Sequence, residues 1–239
     1  MKIGILAIQG SVAEHKKALI KAAQNLQIED FDVTEIRLPE DLFENYDPES
    51  PNQNKRRIQG IILPGGESTA QSKLLKKYNL FEPLKQAIIG DSTNQDGLIK
   101  PLPVWGTCAG AILLAKEVIG HSKNQTDDNL PESLKVMDIR ADRNAYGTQS
   151  DSFITEIQIL THQIEAVFIR APKLSLLTNP TTQIQVLATY KDQPIAIRQG
   201  HMLATSFHPE LTNDTMMHEF FLKYHLPTAS PTLPKWPLL

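Results

Sequence analysis

Apolar positions change their period along this chain. From Ile3 to Ile8 they run almost unbroken and stop at Gln9-Gly10, the form of a short strand buried on both faces. Between residues 12 and 26 they recur at Val12, Leu19, Ala22, Ala23 and Leu26, spaced to make one inward stripe of a helix. Ser11 ahead of that stripe, with Glu14 three residues on, has the arrangement of a capping box. Residues 31–36 and 58–63 predict two more strands, the second ending at Pro64-Gly65-Gly66. Helical spacing returns at about 68–78 and at 81–89. Leu102-Pro103-Val104-Trp105 then predicts a strand, and 111–117 predict a helix. Residues 47–57 and 90–101 are polar and read as surface loops.

Strand alternating with helix, with glycine turns after strands, predicts an α/β fold with a mostly parallel sheet covered on both faces. In such sheets ligands bind beyond the carboxyl ends of the strands. Gln9-Gly10, Gly65-Gly66 and Gly106 should therefore gather on one edge. The second half has a different rhythm. Residues 153–160, 166–170, 184–190, 195–199 and 202–206 predict short strands with few helices between them, an antiparallel section packed beside the main sheet. A last helix spans about 213–224. Residues 1–226 read as one domain, and 227–239, which carry Pro227, Pro231, Pro234 and Pro237, as an extended or disordered tail.

Composition narrows the class. The chain has 239 residues, a net charge of −3 and one cysteine. The slight acidic excess argues against a nucleic-acid binder. A lone cysteine excludes an internal disulfide framework. The apolar start, 3–8, is too short for a secretory core, and no apolar run approaches the roughly 20 residues of a membrane helix. A cytoplasmic protein is the expectation.

That cysteine is the most telling residue. Gly106-Thr107-Cys108-Ala109-Gly110 follows a strand and opens a helix. This is the nucleophile-elbow pattern with cysteine in place of serine, at a helix start whose partial positive charge favours an anion. A side chain at Gly106 or Gly110 would strike neighbouring backbone. A small buried cysteine in an α/β core is the competing reading.

A cysteine nucleophile needs a base, and the base an orienting group. His208-Pro209-Glu210 supplies both: Pro209 biases His208 to extended backbone, where residues two apart point the same way. His15 and His218 fall in helical patterns, and His121 and His162 in or beside loops; solvated or packed roles suit them better. His201 begins a strand and His225 ends the last helix. No histidine and cysteine spacing fits a metal site. The third element, Leu63-Pro64-Gly65-Gly66-Glu67-Ser68-Thr69, is a strand-to-helix turn whose backbone N–H groups are free to hold an anion. A plain turn capped by Ser68 or Thr69 is the alternative. It is not a P-loop, which would end in Gly-Lys-Ser/Thr.

Together these segments resemble a class I, triad-type glutamine amidotransferase domain. Ala7-Ile8-Gln9-Gly10, 63–69, 105–110, Arg143-Asn144-Ala145-Tyr146-Gly147, Gln149, Asp151-Ser152-Phe153, Phe168-Ile169-Arg170-Ala171-Pro172 and 205–211 are similar to the glutaminase subunits of pyridoxal 5′-phosphate synthases, over about residues 2–225. The resemblance implies a flavodoxin-like three-layer fold. It implies a glutaminase that releases ammonia from L-glutamine through a Cys108 thioester, with His208 and Glu210 completing the triad. Gly66, Glu67, Ser68, Arg143, Ile169 and Arg170 match the family's glutamine-binding positions. Gly66 and Ala109 are assigned to the oxyanion hole through their backbone N–H groups. No cofactor is implied. The implied partner is a (β/α)₈-barrel synthase subunit in a large hetero-oligomer, which receives the ammonia. Gln9, at the carboxyl end of the first strand, is a candidate for relaying partner docking to the oxyanion turn, with a solvated loop glutamine as the alternative. Thr148 stands where many relatives carry a basic residue. The loops 47–57, 90–101 and 121–131 exceed those of compact bacterial relatives, and the tail has no counterpart. A free-standing amidase or γ-glutamyl hydrolase of the same superfamily is the alternative, and a non-catalytic binding subunit a weaker one.

Overall fold

The computed structural model describes residues 1–50, 55–90, 100–120, 130–143 and 152–224. The expectations for Asn144 to Gly147, Thr148, Gln149, Asp151, His121, His225 and the tail 227–239, and for most of the 90–101 and 121–131 loops, lie outside them. In chain order, the first half forms β1 (Lys2–Leu6), α1 (Val12–Asn25), β2 (Asp32–Ile36), α2 (Pro39–Leu42), β3 (Phe43–Glu44), β4 (Lys55–Arg56), β5 (Gly60–Leu63), α3 (Ser68–Lys77), α4 (Phe81–Ile89), β6 (Val104–Thr107) and α5 (Ala109–Leu114). The second half adds β7 (Ala115–Ile119), β8 (Met137–Asp142), β9 (Phe153–Ile159), β10 (His162–Phe168), β11 (Lys173–Leu176), β12 (Ile184–Tyr190), β13 (Gln193–Gln199) and β14 (Met202–Thr205). A 3₁₀ turn (Pro209–Leu211) and α6 (Met216–Tyr224) complete it.

Seven strands form the central sheet in the order β12-β13-β14-β6-β5-β1-β2. From β14 to β2 all neighbours are parallel; β13 runs antiparallel to both β12 and β14. The period-2 alternation of strand side chains divides the core in two. Ile62, Trp105 and Leu203 lie in register across β5, β6 and β14. With Ile3 and Ile5 they pack against Leu19 and Ala22 of α1 and Phe220 and Phe221 of α6. On the other face Leu6, Ile61, Leu63 and Val104 meet Leu75 of α3, Leu84 of α4 and Ala111 and Ile112 of α5. Helix, sheet and helix make the three layers expected.

Four details differ from the sequence reading. The helix expected over 111–117 ends at Leu114, and Ala115 enters β7, parallel to β8. The carbonyls of Leu113 and Leu114 accept from the N–H groups of Leu134 and Val136, so the chain leading into β8 takes the acceptors a longer helix would have used. The antiparallel section is distributed. β12 and β13 extend the main sheet, β9 and β10 form a hairpin, and β11-β8-β7 a separate small sheet. The 47–57 loop closes with β4, which pairs with β3. Ser11 stands at the N-cap of α1, but its side chain makes no capping bond; its hydroxyl points elsewhere, as described below.

The predicted gathering of glycine turns is present. β1, β5, β6 and β14 are parallel, so their carboxyl ends, followed by Gln9, Gly65, Cys108 and Ser206, share one edge of the sheet. The first two turns are joined directly, the Ser11 N–H donating to the Gly65 carbonyl at 3.1 Å.

Candidate active site

Cys108 sits at the step from β6 into α5 with φ 48°, a left-handed conformation that non-glycine residues rarely adopt. Its N–H donates to the Thr205 carbonyl of β14 at 2.8 Å, which holds the bend against the neighbouring strand. The flanking glycines are there because of contact. A Cβ on Gly110 would lie 1.9 Å from the Leu63 carbonyl oxygen, and one on Gly106 would lie 2.5 Å from the Gly110 backbone. The cysteine is 5% exposed, yet its side chain lines a cleft of about 240 Å³ with Gln9, Gly66, Glu67, Ser68, Arg143 and His208. The buried-core reading and the reactive reading thus describe one residue: packed on its backbone side, open at the sulfur. Its thiol also faces the Ile169 carbonyl at 3.8 Å.

His208 and Glu210 come together, but not as extended chain. Pro209–Leu211 forms a 3₁₀ turn, and this tighter bend swings the carboxylate back so that Glu210 Oε1 lies 2.8 Å from His208 Nδ1. The other ring nitrogen is left for Cys108. Burial pulls the His208 pKa down. The hydrogen bond and charge of the Cys108 side chain, together with Glu210, outweigh it and raise the imidazole to about 10. Burial likewise opposes ionisation of Glu210, but the facing His15 and His208 imidazoles and the Ser11 hydroxyl hold it ionised, down to about 2.

The remaining predicted residues surround the same cleft. Glu67 is the N-cap of α3, accepting from the Thr69 and Ala70 N–H groups at 2.9 and 2.6 Å; the cap is neither Ser68 nor Thr69. These bonds and the Arg143 charge lower its pKa against a burial effect in the other direction. Arg143 Nη2 approaches Glu67 Oε1 at 3.3 Å. Ser68 is buried, Arg170 is exposed, and Ile169 is 38% exposed; all three line the cleft. In the glycine turn the Gly65 N–H is committed to Thr107 Oγ1 at 2.9 Å and the Glu67 N–H to Gln9 Oε1 at 2.8 Å. Among the described residues the Gly66 N–H between them makes no such bond. The Ala109 N–H opens α5, where no intrahelical acceptor exists.

Sequence reasoning missed what lies behind Glu210. Ser11 Oγ donates to Glu210 Oε1 at 2.5 Å. His15 and His218 are both fully buried, although solvated or packed roles were all their helical settings suggested. The available signal was phase: His15 lies four residues before Leu19 and seven before Ala22, on the apolar stripe of α1. Among the described residues no group of three or more His, Cys, Asp or Glu side chains is arranged to hold a metal ion. Nor is any helix there long and apolar enough to cross a membrane.

A thiol at a tight strand-to-helix bend, an imidazole in the same cleft that is hydrogen-bonded to a carboxylate, and backbone N–H groups beside a carboxylate and a guanidinium are parts that acyl transfer from an amide can use. Over residues 5–226 the sequence matches the SNO glutamine amidotransferase family. The chain is a member of that family. Two relatives are pyridoxal 5′-phosphate synthase subunits PdxT. The one from Thermosipho africanus is 42% identical over 93% of this chain and 97% of its own length, and the one from Pyrococcus furiosus 40% identical over 93% and 98%. A solved glutamine amidotransferase superposes with a TM-score of 0.68 at 35% identity, covering 92% of this chain and 96% of its own. A second solved glutamine amidotransferase, from Thermotoga maritima, shares the fold with a TM-score of 0.52 at 13% identity, covering 92% and 80%.

Proposed function

We propose that this member of the SNO glutamine amidotransferase family is the glutaminase subunit of a pyridoxal 5′-phosphate synthase, working through a Cys108-His208-Glu210 triad. What supports the reading is that Cys108 and His208 line one cleft with Gly66, Glu67, Ser68, Arg143, Ile169 and Arg170, and that Glu210 Oε1 lies 2.8 Å from His208 Nδ1. Glutamine binds with its polar α-carbon groups toward the charged residues: a guanidinium pairs with a carboxylate, and Glu67 suits an ammonium. The amide end then lies over the sulfur.

Cys108 Sγ attacks the amide carbon, and the Gly66 and Ala109 N–H groups hold the oxyanion. The tetrahedral intermediate collapses by breaking the C–N bond as His208 passes a proton to the nitrogen, and ammonia leaves. Acylation then removes the sulfur's share of the effects that raise the His208 pKa, while Glu210 stays in place. The ring is thereby turned from acid to base. It takes a proton from water, which cleaves the thioester and releases glutamate. A positioned acid and base of this kind contributes about 10²–10⁴-fold.

Ammonia freed into water is protonated and lost, so delivery requires a docked acceptor. The acceptor we propose is a (β/α)₈-barrel synthase subunit; the PdxT relatives are named as synthase subunits, which supports a synthase partner. Gln9, whose side chain holds the Glu67 N–H of the glycine turn, is placed to transmit docking to the oxyanion site. The test is glutamate release from glutamine with and without a barrel synthase subunit. Release that rises strongly with the partner supports the reading. Equal release without it means a free-standing amidase, and none in either case overturns the glutaminase assignment.

A further inference from the structure

Three imidazoles and one carboxylate form a continuous buried row, of which the mechanism above uses only His208 and Glu210. Behind Glu210, the carboxylate oxygen Oε2 is buried without a well-formed hydrogen bond; its neighbour is His15 Nε2 at 3.4 Å. The same nitrogen lies 3.1 Å from Thr107 Oγ1, the atom that accepts the Gly65 N–H. On the far side His15 Nδ1 meets His218 Nε2 at 3.0 Å, and Trp105 packs edge-on to both rings.

Hydrogen-bond accounting assigns the protons. Oε2 of a carboxylate only accepts, so the His15 nitrogen facing it carries hydrogen. His15 Nδ1 is then bare and accepts from His218 Nε2–H. This leaves His218 Nδ1 as a bare, unpartnered acceptor. A charged His218 would instead bury an orphan donor, the rarer and costlier fault. Burial pushes both rings below their ordinary range, against the raising effect of Glu210.

Resting on the glutaminase reading, we propose that His15 is a positioning residue. Its Nε2–H bridges the rear of Glu210 and the Thr107 hydroxyl that holds the Gly65 amide, and His218 fixes its tautomer. One neutral ring thereby ties the group that orients His208 to the turn that holds the oxyanion. The charged and titratable groups around His15 are Glu14 on its own helix, Glu210 and His208 from the segment after β14, and His218 from α6. Thr107 and Trp105 from β6 complete its surroundings.

The test has two arms, both on the full chain. Imidazole ¹⁵N NMR of the wild type reads the network whatever the reaction. Two non-titrating Nε2–H tautomers for His15 and His218 between about pH 5 and pH 9 are expected, and an Nδ1–H tautomer or a titrating ring overturns the proposal. The kinetic arm compares His15→Leu with His15→Gln in complex with a barrel synthase subunit. His15→Leu should lower kcat by about 10- to 100-fold, the range of a hydrogen bond to a charged group, with KM for glutamine little changed. The acid limb of kcat/KM should move to higher pH, because Glu210 loses a donor. His15→Gln, which restores an N–H near Nε2, should recover most of the rate. A His15→Leu enzyme with wild-type kcat, or a His15→Gln enzyme as damaged as His15→Leu, overturns the proposal. If urea unfolding shows that His15→Leu does not fold, the His15→Gln rate and the wild-type spectra decide. Wild-type complex that releases no glutamate fails the glutaminase reading instead, and the spectra still judge the network.

Discussion

A methyl group placed on Gly65 would stand 2.3 Å from Cε1 and 2.7 Å from Nδ1 of His208: the glycine turn and the imidazole occupy adjoining space with none to spare. The bare backbone of Gly65 is what lets the ring lie between Glu210 and Cys108. Gly65→Ala should therefore displace the imidazole, not the fold. Overpacking of this kind costs about 1–3 kcal/mol of stability, whereas glutamate release should fall by at least about 10²-fold, the lower bound for losing an acid–base group. Urea unfolding and turnover on the same preparation separate the two effects. A variant with near wild-type turnover would mean that His208 does not need its present position.

Glu210→Gln tests the source of the raised His208 pKa. Burial lowers it, while Cys108 and Glu210 raise it to about 10. The imidazolium that donates to the leaving nitrogen therefore persists well above neutrality, and the alkaline limb of kcat/KM should lie near there. Removing the Glu210 charge takes away one of the raising effects, so the limb should move down toward neutral pH. Turnover should also fall by about 10²–10⁴-fold, as an amide orients the ring less faithfully than a carboxylate. A pH profile in complex with the synthase barrel is the measurement. An unshifted limb would place the charge that matters elsewhere.

Cys108 itself links strain to chemistry. Its φ of 48° is a conformation that costs a non-glycine residue about 1–3 kcal/mol. Cys108→Ala keeps that strain and should abolish glutamate release in a folded protein. Cys108→Gly relieves it, at a cost of about 0.5–1 kcal/mol in chain entropy. The glycine variant should thus be more stable than the alanine variant by about 1 kcal/mol in denaturant midpoints, and equally inactive. Equal or reversed stabilities would show that the bend is not strained.

The sequence made the parallel half of the fold readable because each element there carries its own period. α1, α4 and β2 fall within a residue of the expected bounds, and the glycine turns mark the strand ends. The helix predicted over 111–117 is too long because Ala115 and Lys116 suit a helix locally, and only the distant Met137–Asp142 strand recruits them into β7. The elbow and His-Pro-Glu were legible as residue types. Their meeting was not, since it depends on β14 lying beside β6 and on a 3₁₀ turn that extended-chain reasoning does not produce. Ser11 sits at the helix N-cap that its spacing to Glu14 predicts, but its hydroxyl does not cap the helix. Its true partner is Glu210, 199 residues away, and no local pattern records such a bond.

Asp138 shows how the small sheet is locked to the large one. From β8, its Oδ2 accepts from the Thr181 N–H at 2.6 Å, the Thr181 hydroxyl at 2.7 Å and the Gln199 side chain of β13 at 2.5 Å. Its Oδ1 takes Lys116 of β7. Burial alone would raise this carboxyl, but the Lys116, Thr181 and Gln199 bonds hold it well below the ordinary range. Asp138→Ala takes this acceptor from the buried Gln199 amide and from the half-exposed Lys116 and exposed Thr181, and should cost about 1–3 kcal/mol. Because the folded pKa is depressed, the stabilisation is complete above the unfolded value near 4 and is lost as pH falls below it. The gap between wild type and Asp138→Ala in urea unfolding should be widest at neutral pH and shrink in acid below about pH 4. A gap that is constant with pH would mean that Asp138 acts by shape and neutral hydrogen bonding, and that the charge contributes nothing to joining the two sheets.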